Sequence, residues 1–583
     1  MRKMKSMFSR CVALMLVLAL TITLSPAAET QGQAKTAKAT VSMKAKSVNK
    51  YTLSLEQVEK DTVYYNGKSD IPYFELDSRR AEMEANLKST NPAGLTLSSK
   101  VKGNVVTWTR TSNYGTTRVV FDYKKNTITF DDVNNFFRQE GLSLVGAELG
   151  MRMVLNLFQA DEGSNYARHG GKFAIDLNKY GIKLLKDKKK FYIPVQTYSD
   201  LFISRQGCYQ VFNGENLFIS NDVSLSAMKE KYNEAPKKTF SKEFAAFNYG
   251  ELCLCYDFLY GLKESHDIKT FDQFFTDTGL AGIIKDQNSG GTDLALYTAV
   301  NLFFDDMHCG FGCPSWSTDF DEFKSVALTV PEGAFRSRFQ AIKAELDAYR
   351  AAKMTTVLPY EEVGDTAYIT FDEFTMDMTA DHTVLPTDAD LPNLGKDTIR
   401  LVQYAVNKIT SNPKIKNVVI DLSLNSGGVV FTADYLLAAF LGTSSMATKD
   451  MITGAQSMVN YKVDTNLDGV FDEKDTLANR GLNLYCLTSG YSYSCANMVP
   501  SMFKDSGKVT LIGRTTGGGS CAVLQGTSAS GAIFAVSSPM RFSFSKNGGF
   551  YDVDRGAEPD VFMKDMSKLY DREYMNTVIA GIK

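Results

Sequence analysis

A layered α/β core over residues 361–583, preceded by a helical region and a small α+β amino-terminal domain, is the architecture that this sequence predicts. Three observations carry it. From Asp365 onward, strand-like and helix-like stretches alternate, the pattern of helices packed on a mostly parallel sheet. Asn417–Leu422 (NVVIDL) is almost continuously apolar, as expected of a strand buried on both faces. Upstream, apolar residues between about 240 and 352 recur at three- and four-residue spacing, whereas residues 51–220 alternate short apolar runs with turns.

Taken in order, residues 1–28 read as a signal peptide. Arg2, Lys3, Lys5 and Arg10 form a basic start, Cys11–Leu24 a short apolar run, and Ser25-Pro-Ala-Ala28 a small-residue exit, with cleavage expected after Ala28. The run is too short for a permanent span. The mature chain is therefore expected to be secreted or held in a bacterial cell envelope, with no membrane span. Residues 29–50, rich in Lys, Thr, Ala and Ser, read as a flexible lead-in.

Residues 51–235 form the α+β domain, in which VVTWTR, TRVVFDY and NTITFDD are strands. Its phrase YIPVQTYSDLF resembles a stalk module of secreted Gram-positive proteins. Residues 236–360 form the helical region. FNYGELCLCYDFLYGL and TDLALYTAVNLFFDDMH carry helical apolar stripes there, and AFRSRFQAIKAELDAYRAAK is amphipathic. In the core, TAYITF, NVVIDL, Leu482–Leu487 and Val509–Gly513 read as strands. Gly395–Ser411, Ala433–Leu441 and Ser494–Lys504 read as helices.

With 583 residues, 44% of them hydrophobic, the chain can bury several cores. Its net charge of −2, with mixed signs, argues against nucleic acid as a partner. Nine cysteines show no dense disulfide framework, and a chain this long needs none.

The most informative stretch is Thr488–Gly519, TSGYSYSCANMVPSMFKDSGKVTLIGRTTGGG. It sets a serine between a strand end and a helix start, where free N–H groups favour developing negative charge. The strand NVVIDL is followed by Asn425-Ser-Gly427-Gly428, and a Gly-Gly pair lets backbone approach a ligand closely. VVIDLSLNSGG resembles the DLRxNxGG strand of the tail-specific (carboxy-terminal processing) serine proteases. SYSCANMVPSMFKDSGKVTLIGRTTGG resembles that family's SASASE…GxxTxGK stretch, and Gly556-Ala-Glu-Pro-Asp560 its GVxPD phrase. The resemblance spans about residues 362–566 and implies a crotonase/ClpP-like spiral core. It implies Ser494 as nucleophile, Ser492 as the preceding motif serine, and an oxyanion hole from the N–H groups of Gly428 (or Gly427) and Cys495. Cys495 is a rival nucleophile only in principle.

In the family's bacterial processing branch a lysine 25 residues after the serine acts as base. Here that position is Gly519. A serine hydroxyl needs a base, and the tricorn-like branch takes a histidine from upstream. Of the four histidines, His308 in FFDDMHCGFG resembles the DxH phrase of lysine-lacking members. The acid that orients it is then expected near the GVxPD phrase, with Asp554 first and Glu558 next. The implied function is that of a secreted serine endopeptidase acting on polypeptides through an acyl-enzyme, with no organic cofactor. The alternative is a non-catalytic ligand- or wall-polymer-binding protein on the same fold.

A separate motif lies at 464–475. Asp464, Asn466, Asp468, Val470, Asp472 and Asp475 fall at positions 1, 3, 5, 7, 9 and 12 of a twelve-residue loop, with Gly469 at position 6. That is the spacing of a Ca²⁺ loop, with Asp in place of Glu at position 12. It reads as a structural staple inserted between the oxyanion strand and the nucleophile strand.

Overall fold

A computed structural model describes residues 41–53, 55–56, 58–90, 95–138, 154–160 and 165–582. The signal-peptide segment lies outside the described residues.

The first described element corrects the lead-in. Met43–Thr52 is a strand, paired antiparallel with Val58–Asn66 and parallel with Asn216–Ser220. Only Val48, Lys50 and Tyr51 of it are buried, so its polar text hides a strand fixed by neighbours on both sides. It is an interior strand of a seven-stranded sheet. A second, five-stranded meander carries the three strands read from the sequence, as Val105–Ser112, Gly115–Asp122 and Thr127–Phe130. Their inward residues, Trp108 and Phe121, pack on Phe202.

The helical region is built around Lys242–Leu259, Ser289–Thr298 and Ala334–Lys353. The first two of these helices share one apolar core with the amino-terminal sheets and with residues 521–536. An eight-stranded sheet stitches the regions together. Phe158–Ala160 pairs with Gln456–Val463, and Gly310–Cys313 pairs with Ile533–Lys546. No disulfide joins the eight described cysteines to one another.

The carboxy-terminal core holds a six-stranded sheet in the order Tyr360–Val363, Thr366–Thr370, Asn417–Asp421, Asn483–Thr488, Val509–Gly513 and Val561–Phe562. All neighbours but the first pair are parallel. Strand order follows chain order, so each crossover helix falls on the same face when the crossovers are right-handed. Thr398–Ser411, Val430–Leu441 and Cys495–Ser506 do so, packing against Val418, Ile420, Leu484, Cys486 and Leu511. The alternate residues, Val419, Tyr485, Leu487 and Ile512, meet Phe339 and Leu346 of the long helix and Met575 and Ile579 of the last one. Two covered faces explain the unbroken apolar run in NVVIDL. The loops at the carboxyl ends of these strands bring the candidate residues together.

Candidate active site

Ser494 sits between strand Asn483–Thr488 and helix Cys495–Ser506. Its backbone is at φ 57°, ψ −122°, a conformation normally left to glycine. Such a cost persists only where surroundings enforce it. Here the Ser494 N–H donates to the Gly518 carbonyl at 2.9 Å, and the Ser494 carbonyl accepts from Asn497 and Met498 N–H at 2.9 Å each, starting the helix. The preceding Ser492 is structural. Its hydroxyl donates to the Leu422 carbonyl at 2.8 Å and accepts the Ser489 N–H at 3.0 Å, tying two parallel strand ends together.

The Gly-Gly turn lies directly against the serine. A Cβ on Gly427 would stand 2.5 Å from Ser494 Cβ, and one on Gly428 2.2 Å from the Phe374 carbonyl oxygen. The structure separates the two glycines. The Gly427 N–H donates to Asn425 Oδ1 at 2.9 Å, whereas the Gly428 N–H has no acceptor among the described residues. Asn425 in turn donates to the Phe371 carbonyl at 3.0 Å, which fixes the turn. The Cys495 thiol donates to the Gly428 carbonyl at 3.2 Å and so is directed at the turn itself. Gly428, Ser494, Cys495, Met498, Cys521 and Phe542 line a cleft of about 250 Å³.

His308 reaches this neighbourhood from the helical region. The helix before it gives way to a π-helical turn ending at Phe304, and the chain then reverses through Asp305 at φ 45°. Asp305 caps the next long helix, accepting from Phe335 N–H at 2.7 Å and Arg336 N–H at 2.8 Å. Arg336 reaches back to the carbonyls of Asp306 and Cys309 at 2.8 and 2.9 Å. The turn bearing His308 is thus braced from both sides. The imidazole packs on the Tyr493 ring, next to the serine, with centroids 4.8 Å apart.

Burial pushes the His308 pKa down from its ordinary value, opposed by the charges of Asp306 and then Asp554. Its Nδ1 is buried with no hydrogen-bond partner among the described residues. Asp306 does not take it. One Asp306 oxygen accepts the His308 N–H at 3.1 Å and the Tyr493 hydroxyl at 2.9 Å. The other accepts from the Ser537 hydroxyl and from the Cys309 thiol. The Asp306 carboxyl is held below the usual range: burial raises its pKa, and His308, Ser537 and the other donors outweigh that.

Asp554 accepts the Ser520 N–H at 3.0 Å and pairs with Arg541 at 3.4 Å. Its carbonyl oxygen presses on Gly518, where an added Cβ would lie 2.2 Å away. It thereby stands behind the segment that receives the Ser494 N–H. Glu558 is exposed and engages Lys504 through its carbonyl at 2.6 Å, with no hydrogen bond to this cluster among the described residues. Lys504 also pairs with Asp560 at 3.3 Å, and Lys508 reaches the Leu441 carbonyl at 3.2 Å.

The residue that sequence reasoning missed is Tyr493. Gly519, where the resemblance implied a lysine, has φ 84°, and a Cβ there would lie 2.4 Å from Cζ of the Tyr493 ring. The available signal was a tyrosine immediately before the serine in a chain with glycine at the lysine position.

In the 464–475 loop the acidic groups bond the loop's own backbone. Asp464 accepts from Leu467 N–H at 2.6 Å and Gly469 N–H at 2.9 Å. Asp468 accepts from Val470 N–H at 2.8 Å, and Asp475 accepts from Thr465 N–H at 2.8 Å and Asp472 N–H at 3.0 Å. Among the described residues no group of three or more His, Cys, Asp or Glu side chains stands ready to hold a metal. Nor, among them, is any helix long and apolar enough to cross a membrane.

Residues 365–562 match the model of peptidase family S41. No curated protein matches the chain. Solved structures similar to it include a photosystem II D1 C-terminal processing protease, at 16% identity and a TM-score of 0.25, covering 34% of this chain and 42% of that one. Mature CPAF matches at 12% identity and a TM-score of 0.35, covering 58% of this chain and 96% of its own. The tricorn protease matches at 10% identity and a TM-score of 0.28, covering 83% and 46% respectively. The chain thus spans less than half the length of the first and last of these.

Proposed function

We propose that this chain, which matches peptidase family S41 over residues 365–562, is a secreted serine endopeptidase in which Ser494 is the nucleophile and His308 the general base. The observation that carries the reading is the strained Ser494 turn. It seats the hydroxyl at a helix start against Gly427, beside an unengaged Gly428 N–H. Neutral imidazole is the form a base requires, and the lowered His308 pKa supplies it at neutral pH. His308 takes the hydroxyl proton as Ser494 Oγ attacks the peptide carbonyl. The carbonyl oxygen becomes an oxyanion facing the Gly428 and Cys495 N–H groups. The imidazolium then protonates the leaving amine, and water, activated in the same way, releases the acyl group. Asp306 and Asp554 both favour the imidazolium through their charge. Catalytic hydrogen bonds commonly close only when substrate is bound.

The test is hydrolysis of an unfolded protein such as casein by the mature chain, beside Ser494→Ala and His308→Ala. Both variants are expected to lose at least about a thousandfold in kcat while staying folded. Full activity in Ser494→Ala removes the reading. No labelling of wild-type Ser494 by a fluorophosphonate, together with no hydrolysis, favours the binding-protein alternative.

Export rests on residues 1–28, and a mature amino terminus at Glu29 is the expected finding on sequencing the secreted protein. For the 464–475 loop we propose a structural Ca²⁺ held by Asp464, Asn466, Asp468, the Val470 carbonyl, Asp472 and Asp475. The spacing and the Gly469 turn at φ 76° support it. Calcium is expected to raise the melting temperature of the wild type and not of Asp464→Ala. An equal response in both, or no uptake in equilibrium dialysis, excludes it.

A further inference from the structure

Tyr493 is placed unlike any other side chain near the serine. It precedes Ser494 directly and is 6% exposed. Its N–H donates to the Asn425 carbonyl at 3.4 Å, joining it to the Gly-Gly turn, and its backbone bridges Gly518. Its ring lies on Gly519, on His308, and on Phe339 of the long helix with centroids 5.6 Å apart. Its hydroxyl donates to Asp306, the carboxylate that also receives the His308 N–H. One residue therefore touches the oxyanion turn, the Ser494 backbone, the segment behind it, and both members of the Asp306–His308 turn.

We propose that Tyr493 is the positioning residue of this site, setting the His308 imidazole against the nucleophile's turn through its ring and through the hydroxyl bond to Asp306. The inference rests on the Ser494–His308 reading. Gly519 belongs to the same device. A side chain there would occupy the ring's place, so a base arriving from position 519 and the Tyr493 brace exclude one another sterically. The chain keeps the tyrosine and takes its base from the helical region.

The hydroxyl bond has an electrostatic consequence. The O–H dipole offsets part of the Asp306 charge, which otherwise raises the His308 pKa. Removing it should move the His308 titration, and with it the acid limb of kcat/KM, to higher pH.

The experiment compares wild type with Tyr493→Phe, Asp306→Asn and the double variant. Turnover is counted per fluorophosphonate-titrated site, and KM and pH profiles are measured alongside. Tyr493→Phe keeps the ring and is expected to lose about ten- to hundredfold in kcat at nearly constant KM, the range for a hydrogen bond to a charged group. Its acid limb and the His308 ring-proton titration should shift upward together. In the Asp306→Asn background, Tyr493→Phe should add little, because the tyrosine acts through that carboxylate. Wild-type kcat and pH profile in Tyr493→Phe overturn the proposal, as do effects that multiply in the double variant. A loss of melting temperature with unchanged kcat per titrated site marks a merely structural tyrosine and overturns it as well. Ser494→Ala and His308→Ala run in the same assay separate the two levels. If both are inactive and Tyr493→Phe is unaffected, the proposal alone falls; if Ser494→Ala stays active, the reading beneath it falls too.

Discussion

Two buried acidic clusters in this molecule have pKa values displaced in opposite directions, and the cause is visible in their surroundings. Asp306, beside the serine, accepts from a backbone N–H, a tyrosine hydroxyl, a serine hydroxyl and a thiol, and its pKa is lowered although it is buried. Asp200 and Glu251, where the amino-terminal sheets meet helix Lys242–Leu259, are fully buried and both raised, by burial first and for Glu251 then by the Asp200 charge. Asp200 Oδ1 accepts from Gln196 at 2.9 Å and Glu251 Oε1 accepts from Thr197. Beyond these, Asp200 has only the weak donor of the Cys255 thiol, and Glu251 Oε2 has no partner among the described residues. Burial is common to both clusters; the neighbouring His308 charge and the larger set of donors lower the Asp306 pKa, and the Asp200–Glu251 pair lacks both. The cluster with the lowered carboxyl stands at the candidate active site, and the pair with raised carboxyls stands at the junction of the amino-terminal sheets and helix Lys242–Leu259.

The largest effect should follow from breaking the Asp306 cluster. Asp306→Ala leaves the Tyr493 and Ser537 hydroxyls and the His308 backbone N–H without their acceptor in a buried site. A loss of about 3 kcal/mol or more in urea unfolding is expected, with kcat falling as His308 loses its brace. A stability change under about 1 kcal/mol would mean that water replaces the carboxylate and that the cluster is not closed.

A smaller effect tests the steric side of the same cluster. Gly519→Ala puts a methyl 2.4 Å from the Tyr493 ring at φ 84°. Overpacking and left-handed backbone together should cost about 2–4 kcal/mol. Tyr493→Ala should relieve the overpacking part, so the double variant should fall short of the sum of the two single losses. Additive losses would show that ring and glycine are not coupled.

The Asp306 cluster was partly legible in the sequence and the Asp200–Glu251 pair was not. Ser494, the Gly427-Gly428 turn and the parallel strands could be read because each is a local pattern: an apolar run, a Gly-Gly pair, a serine at a strand–helix turn. Helix Thr398–Ser411 begins where Asp397 caps it, three residues after the sequence boundary at Gly395. The eight-stranded sheet escaped reading. Its long strand, Ile533–Lys546 (IFAVSSPMRFSFSK), buries Ser537, Ser538 and Ser543 completely and so shows neither alternation nor an unbroken apolar run. It also pairs with Gly310–Cys313, more than 200 positions away, a separation that no periodicity encodes. Tyr493 was hidden for a related reason: its partners Asp306, Gly519 and Phe339 converge only in the folded chain.

The Asp200–Glu251 pair supplies the opposite sign of pH dependence, and that sign can be measured. Each acid is raised in the folded chain, which therefore holds protons that the unfolded chain releases above about pH 4. Stability then falls as pH rises from that point toward the folded pKa, by about 1.4 kcal/mol per pH unit for each proton retained. Asp306 works the other way, its contribution being present at neutral pH and lost only on acidification. Asp200→Asn keeps the shape and removes one titration. Its unfolding free energy between pH 5 and 8 should fall less steeply than that of the wild type. Asp293, pushed up to about 7 by burial, and Asp434, up to about 8, contribute equally to both proteins and cancel in the comparison. Parallel slopes would show that Asp200 is not a retained proton, and the contrast between the two clusters would then reduce to Asp306 alone.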